Sequence, residues 1–252
     1  MNELALAAAI YFDHELAANP APIVALWSAI ASADDTPLRQ WWSTERAPHK
    51  PQPLELDALG AKVAAGGTVT AAIESVEPGV LVLAQTTPAA KLREGVPPRH
   101  WKYDAVVALG PRQVERIGSE RAIEAIVAFA DAVAVKAGIV VWSRSLAYAS
   151  AIAMGASSSE LTPDQSQQVT DSYYWRSHWG RVIRGPAWGT FLGASHVAAL
   201  GDIAMLPAAR IVPLASGGAF VQLTSLSDVT PLEEPSPALA TLQAALSAVV
   251  PH

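Results

Sequence analysis

The stretch Val69-Thr70-Ala71-Ala72-Ile73-Glu74-Ser75-Val76, then Glu77-Pro78-Gly79, then Val80-Leu81-Val82-Leu83-Ala84-Gln85-Thr86 decides how this chain is read. Two runs rich in β-branched and aliphatic residues flank a Pro-Gly turn, which is the pattern of a hairpin. A second case lies nearer the other end, where runs 210–215 and 219–224 meet at Gly217-Gly218. Hairpins build antiparallel ladders, and no regular strand–helix–strand series recurs along the chain. The class that follows is α+β, a largely antiparallel sheet packed with helices.

Upstream, the apolar run 4–12 reads as a buried strand, and 23–31 carries a helical pattern with proline near its start. A proline-rich passage, 48–53, precedes a short helix from Leu54 to Gly66-Gly67. Gly95-Val96-Pro97-Pro98 is the best internal boundary. It gives an N-terminal α+β half, 1–98, and a C-terminal α+β half, 99–252, as one continuous domain or two. Beyond it come a strand at 103–109, a helix from Ser119 to Lys136 and a strand at 139–142. Ser119 is read as the cap of that helix and Gly138 as its stop. Thr162-Pro163-Asp164 opens another helix, running to about Trp175, and 237–249 forms a last one. Each half offers a strand, a helix and paired strands, so two similar β-α-β-β halves are expected.

Hydrophobic residues make up 51% of the 252 and charged residues 16%, enough for a large core and outside the disordered class. The formal charge is −6, and the 17 Lys and Arg residues are spread along the chain. A general phosphate-backbone binder needs them clustered, so direct nucleic-acid binding is not expected. With no cysteine, disulfide frameworks, cysteine zinc sites and thiol nucleophiles are excluded. The apolar opening starts on an acid rather than a basic region, and reads as a first strand or buried helix, with a secretion signal as the minor alternative. No apolar run reaches the length of about 20 residues that spans a bilayer. A cytoplasmic location, with no membrane partner, is the expectation.

The phosphate-loop, dinucleotide-binding and nucleophile-elbow motifs are all missing. The six histidines are scattered, and only Asp13-His14-Glu15 gathers possible ligands. In an extended chain Asp13 and Glu15 share a side while His14 points away, which suits a surface strand end better than a metal site. Asp34-Asp35 and Glu233-Glu234 lie beside prolines or helix ends and read as solvated loops. No strained turn surrounds any serine, as a Ser-His-Asp nucleophile would require. No cofactor, no metal and no catalysis are expected.

The densest stretch runs from Tyr173 to Gly201, with three tryptophans and three arginines between Trp175 and Trp188. Exposed, such a set is an interface hot spot; buried, it packs a core with arginine stems over the rings. Glycine and proline punctuation between Gly185 and Gly193 favours a core role for Trp188 and Phe191. For Trp175, Trp179, Arg181 and Arg184 both readings stand.

The string Arg184-Gly185-Pro186-Ala187-Trp188-Gly189-Thr190-Phe191-Leu192, followed by Gly193-Ala194-Ser195-His196-Val197-Ala198-Ala199-Leu200-Gly201, resembles bacterial immunity proteins of polymorphic-toxin and type VI secretion systems. Trp101-Lys102-Tyr103-Asp104, Val141-Trp142 and Gly217-Gly218-Ala219-Phe220-Val221-Gln222-Leu223 follow in the order expected of that group, so the resemblance covers about residues 100 to 249. It implies an α+β protein, monomeric or homodimeric, that neutralises a cognate toxin or effector, such as a nuclease, by occluding it. The family has no shared catalytic set, so none is carried over. Tight occlusion needs an aromatic or arginine centre and acids to steer a basic partner. The residues matching that need are Trp175, Arg176, Trp179, Arg181 and Arg184, with Asp13, Glu15, Asp34 and Asp35. Two other readings compete: a hydrolase using Asp13, Glu15 and a histidine, or a structural part of a secretion or phage-like assembly. A polar pocket gathering those side chains would favour the first, and self-association into rings or fibres the second.

Overall fold

The computed structural model describes residues 3–33, 35–44, 48–66, 68–76, 79–85, 103–155, 158–171, 183 and 185–250. Its first strand, β1 (Ala5–Phe12), is buried at every position. β1 is antiparallel to β6 (Tyr103–Leu109) on one side and to β7 (Ala137–Ser143) on the other. On the β6 side follow β5 (Val80–Gln85), β4 (Thr68–Ser75), β2 (Leu38–Thr44) and the two-residue edge β3 (Gln52–Pro53). On the β7 side follow β8 (Gly189–Leu192), β10 (Ala219–Gln222) and the edge β9 (Arg210–Pro213). All these neighbours pair antiparallel, so the described strands form one sheet of the expected α+β class.

Helices cover both faces. Alternation along β1 sends Leu6, Ala8, Ile10 and Phe12 to one layer and Ala7, Ala9 and Tyr11 to the other. Against the first pack α1 (Ala21–Ala31), α2 (Leu56–Ala64), α3 (Pro111–Ile117) and α4 (Ser119–Ala132). Phe12 meets Phe129 of α4 edge-on at 5.7 Å, and the Trp27 indole N–H of α1 donates to the Val82 carbonyl at 3.1 Å. Against the second pack α5 (Leu146–Met154), Val169 of α6 (Pro163–Asp171), and Leu242 of α8 (Pro237–Ala245). A further helix, α7 (Ala194–Leu200), follows β8. Each large aliphatic or aromatic side chain so buried contributes about 1.5–3 kcal/mol.

Two details of the expected helix over 119–136 are corrected. Ser119 is already the first helical residue, and Gly118, at φ 84°, holds the cap position without a side-chain hydrogen bond. The reason is the preceding α3, which ends at Ile117 and leaves one residue for the joint. Nor does Gly138 stop the helix. The chain turns at Ala134, φ 49°, and the Val135 N–H closes the end on the Ala130 carbonyl at 2.9 Å.

Gly138 instead lies inside β7, between Ile10 and Phe191 in the ladder. A β-carbon there would lie 2.6 Å from the Ala9 carbonyl oxygen and 3.1 Å from the Phe191 ring. Gly189 is similar, with the Phe220 ring 2.7 Å from its missing β-carbon, which lets Phe191 and Phe220 pack with centroids 4.7 Å apart. Gly138→Ala is therefore expected to destabilise the protein by about 1–3 kcal/mol through overpacking, measured by urea denaturation.

Candidate functional site

The antiparallel register brings to one end of the sheet the start of β1, the ends of β6 and β7, and the start of β2. A groove of about 1140 Å³ opens there. Its acids are Glu3, Asp35 and Glu160, and its bases are Arg112 and Arg116 of α3. Arg116 Nη1 meets Asp35 Oδ1 at 2.6 Å and donates to Thr36 Oγ1 at 3.0 Å. Both partners of that pair are well exposed, so it contributes at most about 1 kcal/mol. Val76, half-exposed, adds an apolar element to the wall. The groove is open and mixed in charge.

Beside it, the end of β7 is held by a polar knot. Ser143, fully buried, donates from Oγ to Glu233 at 2.5 Å and accepts the Ser145 N–H at 2.9 Å. Glu233 also accepts the Arg144 N–H at 3.1 Å, while the Arg144 guanidinium pairs with Glu234. The Leu232 N–H donates to the Trp142 carbonyl at 2.8 Å, continuing the tie. Ser145 then caps α5 by accepting the Tyr148 N–H. The Tyr148 hydroxyl donates to Gln168 on α6. Burial, and secondly the Glu233 carboxylate, push the Tyr148 phenol above the usual tyrosine range. Tyr148 therefore stays a neutral donor at ordinary pH.

Of the residues singled out from the sequence, Asp35 lies in the groove. Asp13 and Glu15 follow β1 at the opposite end of the strand, about 25 Å of extended chain away. There Asp13 pairs with Lys136 at 3.6 Å, and the His14 ring lies 3.4 Å from the Asn19 carbonyl oxygen. Asp34, Trp175, Arg176, Trp179, Arg181 and Arg184 lie outside the described residues. Trp188 and Phe191, read as core, are 5% and 0% exposed. Glu233, read as a solvated loop residue, instead anchors Ser143 and Arg144. No local signal marks it, because its partners stand about 90 residues earlier in the chain. Among the described residues, no group of three or more His, Asp or Glu side chains is placed to hold a metal ion. No described helix is long and apolar enough to cross a membrane.

No family model matches the sequence, and no curated protein matches it. Among solved structures, a T6SS protein of Pseudomonas aeruginosa is similar in fold, with a TM-score of 0.63. The likeness covers 98% of this chain and 73% of that one at 14% sequence identity. The α+β architecture is thus shared with that protein.

Two outcomes follow from the knot. Ser143→Ala leaves the Ser145 N–H and Glu233 short of a partner and should cost about 1–3 kcal/mol of unfolding free energy in urea. For Tyr148, the folded state holds the phenolic proton more tightly than the unfolded chain. That contribution is intact below about pH 10 and is lost as pH rises through the higher folded value. Tyr148→Phe should therefore lose stability less steeply than the parent above pH 10, measured by denaturation across pH 9–12.

Proposed function

We propose that this chain is an immunity protein that binds and neutralises a cognate effector of a type VI secretion system, acting in the cytoplasm by occlusion rather than by catalysis. The observation that carries this reading is the likeness in fold, along 98% of the chain, to the P. aeruginosa T6SS protein. The resemblance in sequence over residues 100 to 249 points the same way. The groove supplies a docking face, since Arg112 and Arg116 are of the residue type that anchors interfaces, and Val76 offers apolar contact beside them. The formal charge of −6 would speed encounter with a basic effector such as a nuclease.

The test is co-expression with the product of the neighbouring gene, followed by affinity measurement and a growth-protection assay. Binding with rescue of growth is expected. Arg112→Ala combined with Arg116→Ala, which removes the anchoring side chains, should weaken binding at least tenfold, about 1.4 kcal/mol, with the thermal unfolding midpoint little changed. Asp13→Asn with Glu15→Gln, at the far end of β1, removes acids read from the sequence as partner-steering residues; a loss of affinity there larger than that of the arginine pair moves the interface to that end. If no neighbouring product binds or is silenced, the immunity reading fails.

A further inference from the structure

The sheet ends at β3 and at β9, and no described strand pairs with the outer side of either. An open sheet edge offers its backbone donors and acceptors to any extended segment, a second copy of itself included. The register shows what β9 presents. Just past the pairing of Pro213 with Ala219, the Leu214 N–H donates to the Gly218 carbonyl at 2.9 Å. Sides alternate along an antiparallel ladder, so Arg210 and Val212 also turn their N–H groups to β10, while Ile211 and Pro213 face outward. Proline has no N–H to present there. One residue before the strand, the Ala209 N–H is turned back onto the Gln222 carbonyl at 3.0 Å. From 209 to 214 the outer side therefore keeps a single donor, the Ile211 N–H.

The opposite edge is barred in the same manner. β3 pairs Pro53 with Arg39, and the chain leading into it bridges Pro48 with Ser43 of β2. Neither proline can donate across to β2, so both pairs are of the non-hydrogen-bonded kind and both ring nitrogens face the open side. Lys50 and Pro51 stand between them, and a charge or a proline on an edge also discourages pairing. We propose that Pro48 and Pro53 at one end, and Pro213 at the other, close this sheet to strand addition, so that partners and second copies meet the protein on other surfaces. This closure holds whether or not the chain neutralises an effector.

The experiment restores the missing donors in the full chain. In Pro213→Val, positions 211 and 213 both present an N–H outward, and two copies can pair β9 against β9. Sedimentation velocity over a concentration series should show this variant self-associating at concentrations at least tenfold below the parent. Adding Ile211→Pro, which removes the remaining outward donor and no bond to β10, should return the parent's behaviour. Pro48→Thr with Pro53→Thr should raise association in the same way at the β3 end. Hydrogen exchange reads the edge directly: in the parent, the Ile211 amide should exchange at least a hundredfold faster than that of Val212. Should Pro213→Val not unfold cooperatively, Pro213→Thr takes its place. The proposal is overturned if either edge, so opened, associates no more than the parent, if Ile211→Pro leaves the association at β9 in place, or if the parent's Ile211 amide exchanges as slowly as that of Val212.

Discussion

β1 has neither a free edge nor a wet face, and the rest of the molecule is arranged around that constraint. Its backbone donors and acceptors are taken by β6 and β7, and its side chains are shared between two helical layers. Four of its eight residues are alanine. Small side chains at Ala7 and Ala9 fit the approach of α5, while Phe12 and Ile10 fill the wider space under α1 and α4. A strand of this composition is stable only where other elements remove it from water on all sides.

Much of this architecture is written in local pattern. The hairpin of β4 and β5, the strand β6 and the hairpin of β9 and β10 were legible because β-branched runs met proline or glycine turns, signals that act within a few residues. β2 was not legible. It carries Arg39, Gln40, Trp41 and Trp42, and becomes a strand through its pairing with β4, the Trp41 indole N–H donating to the Glu74 carboxylate at 2.9 Å and the Gln40 side chain accepting the Glu55 N–H. The short helices α3 and α7 also lacked the length to show a period. The end of α4 misled because an alanine takes a left-handed turn that glycine usually makes, while the nearby Gly138 answers to sheet packing.

The candidate site was less visible, for a different reason. Asp35 was noticed as an acid but not as the partner of Arg116, because the two meet only once β2 and α3 reach the same end of the sheet. Glu233 was set aside as solvated, although it closes the knot that fixes the end of β7 and the start of α5. Trp188 and Phe191 went the other way: the glycines around them marked tight packing, and both are core. Sequence pattern reports what a residue does for its own element more readily than what it does between elements.

The central place of β1 also sets the order of events during synthesis. Ala5 pairs with Ser143, and Phe12 with Tyr103, so both flanking strands are made long after β1 itself. Until then an alanine-rich apolar segment waits with both edges open, the state most exposed to wrong pairing and to chaperones. The hairpin of β4 and β5 can close locally in the meantime, and β6 then joins it before β7 completes the enclosure. Pairing Ala5 with Ser143 joins residues far apart in the chain, and the entropy of closing so long a loop is lost before its contacts are gained.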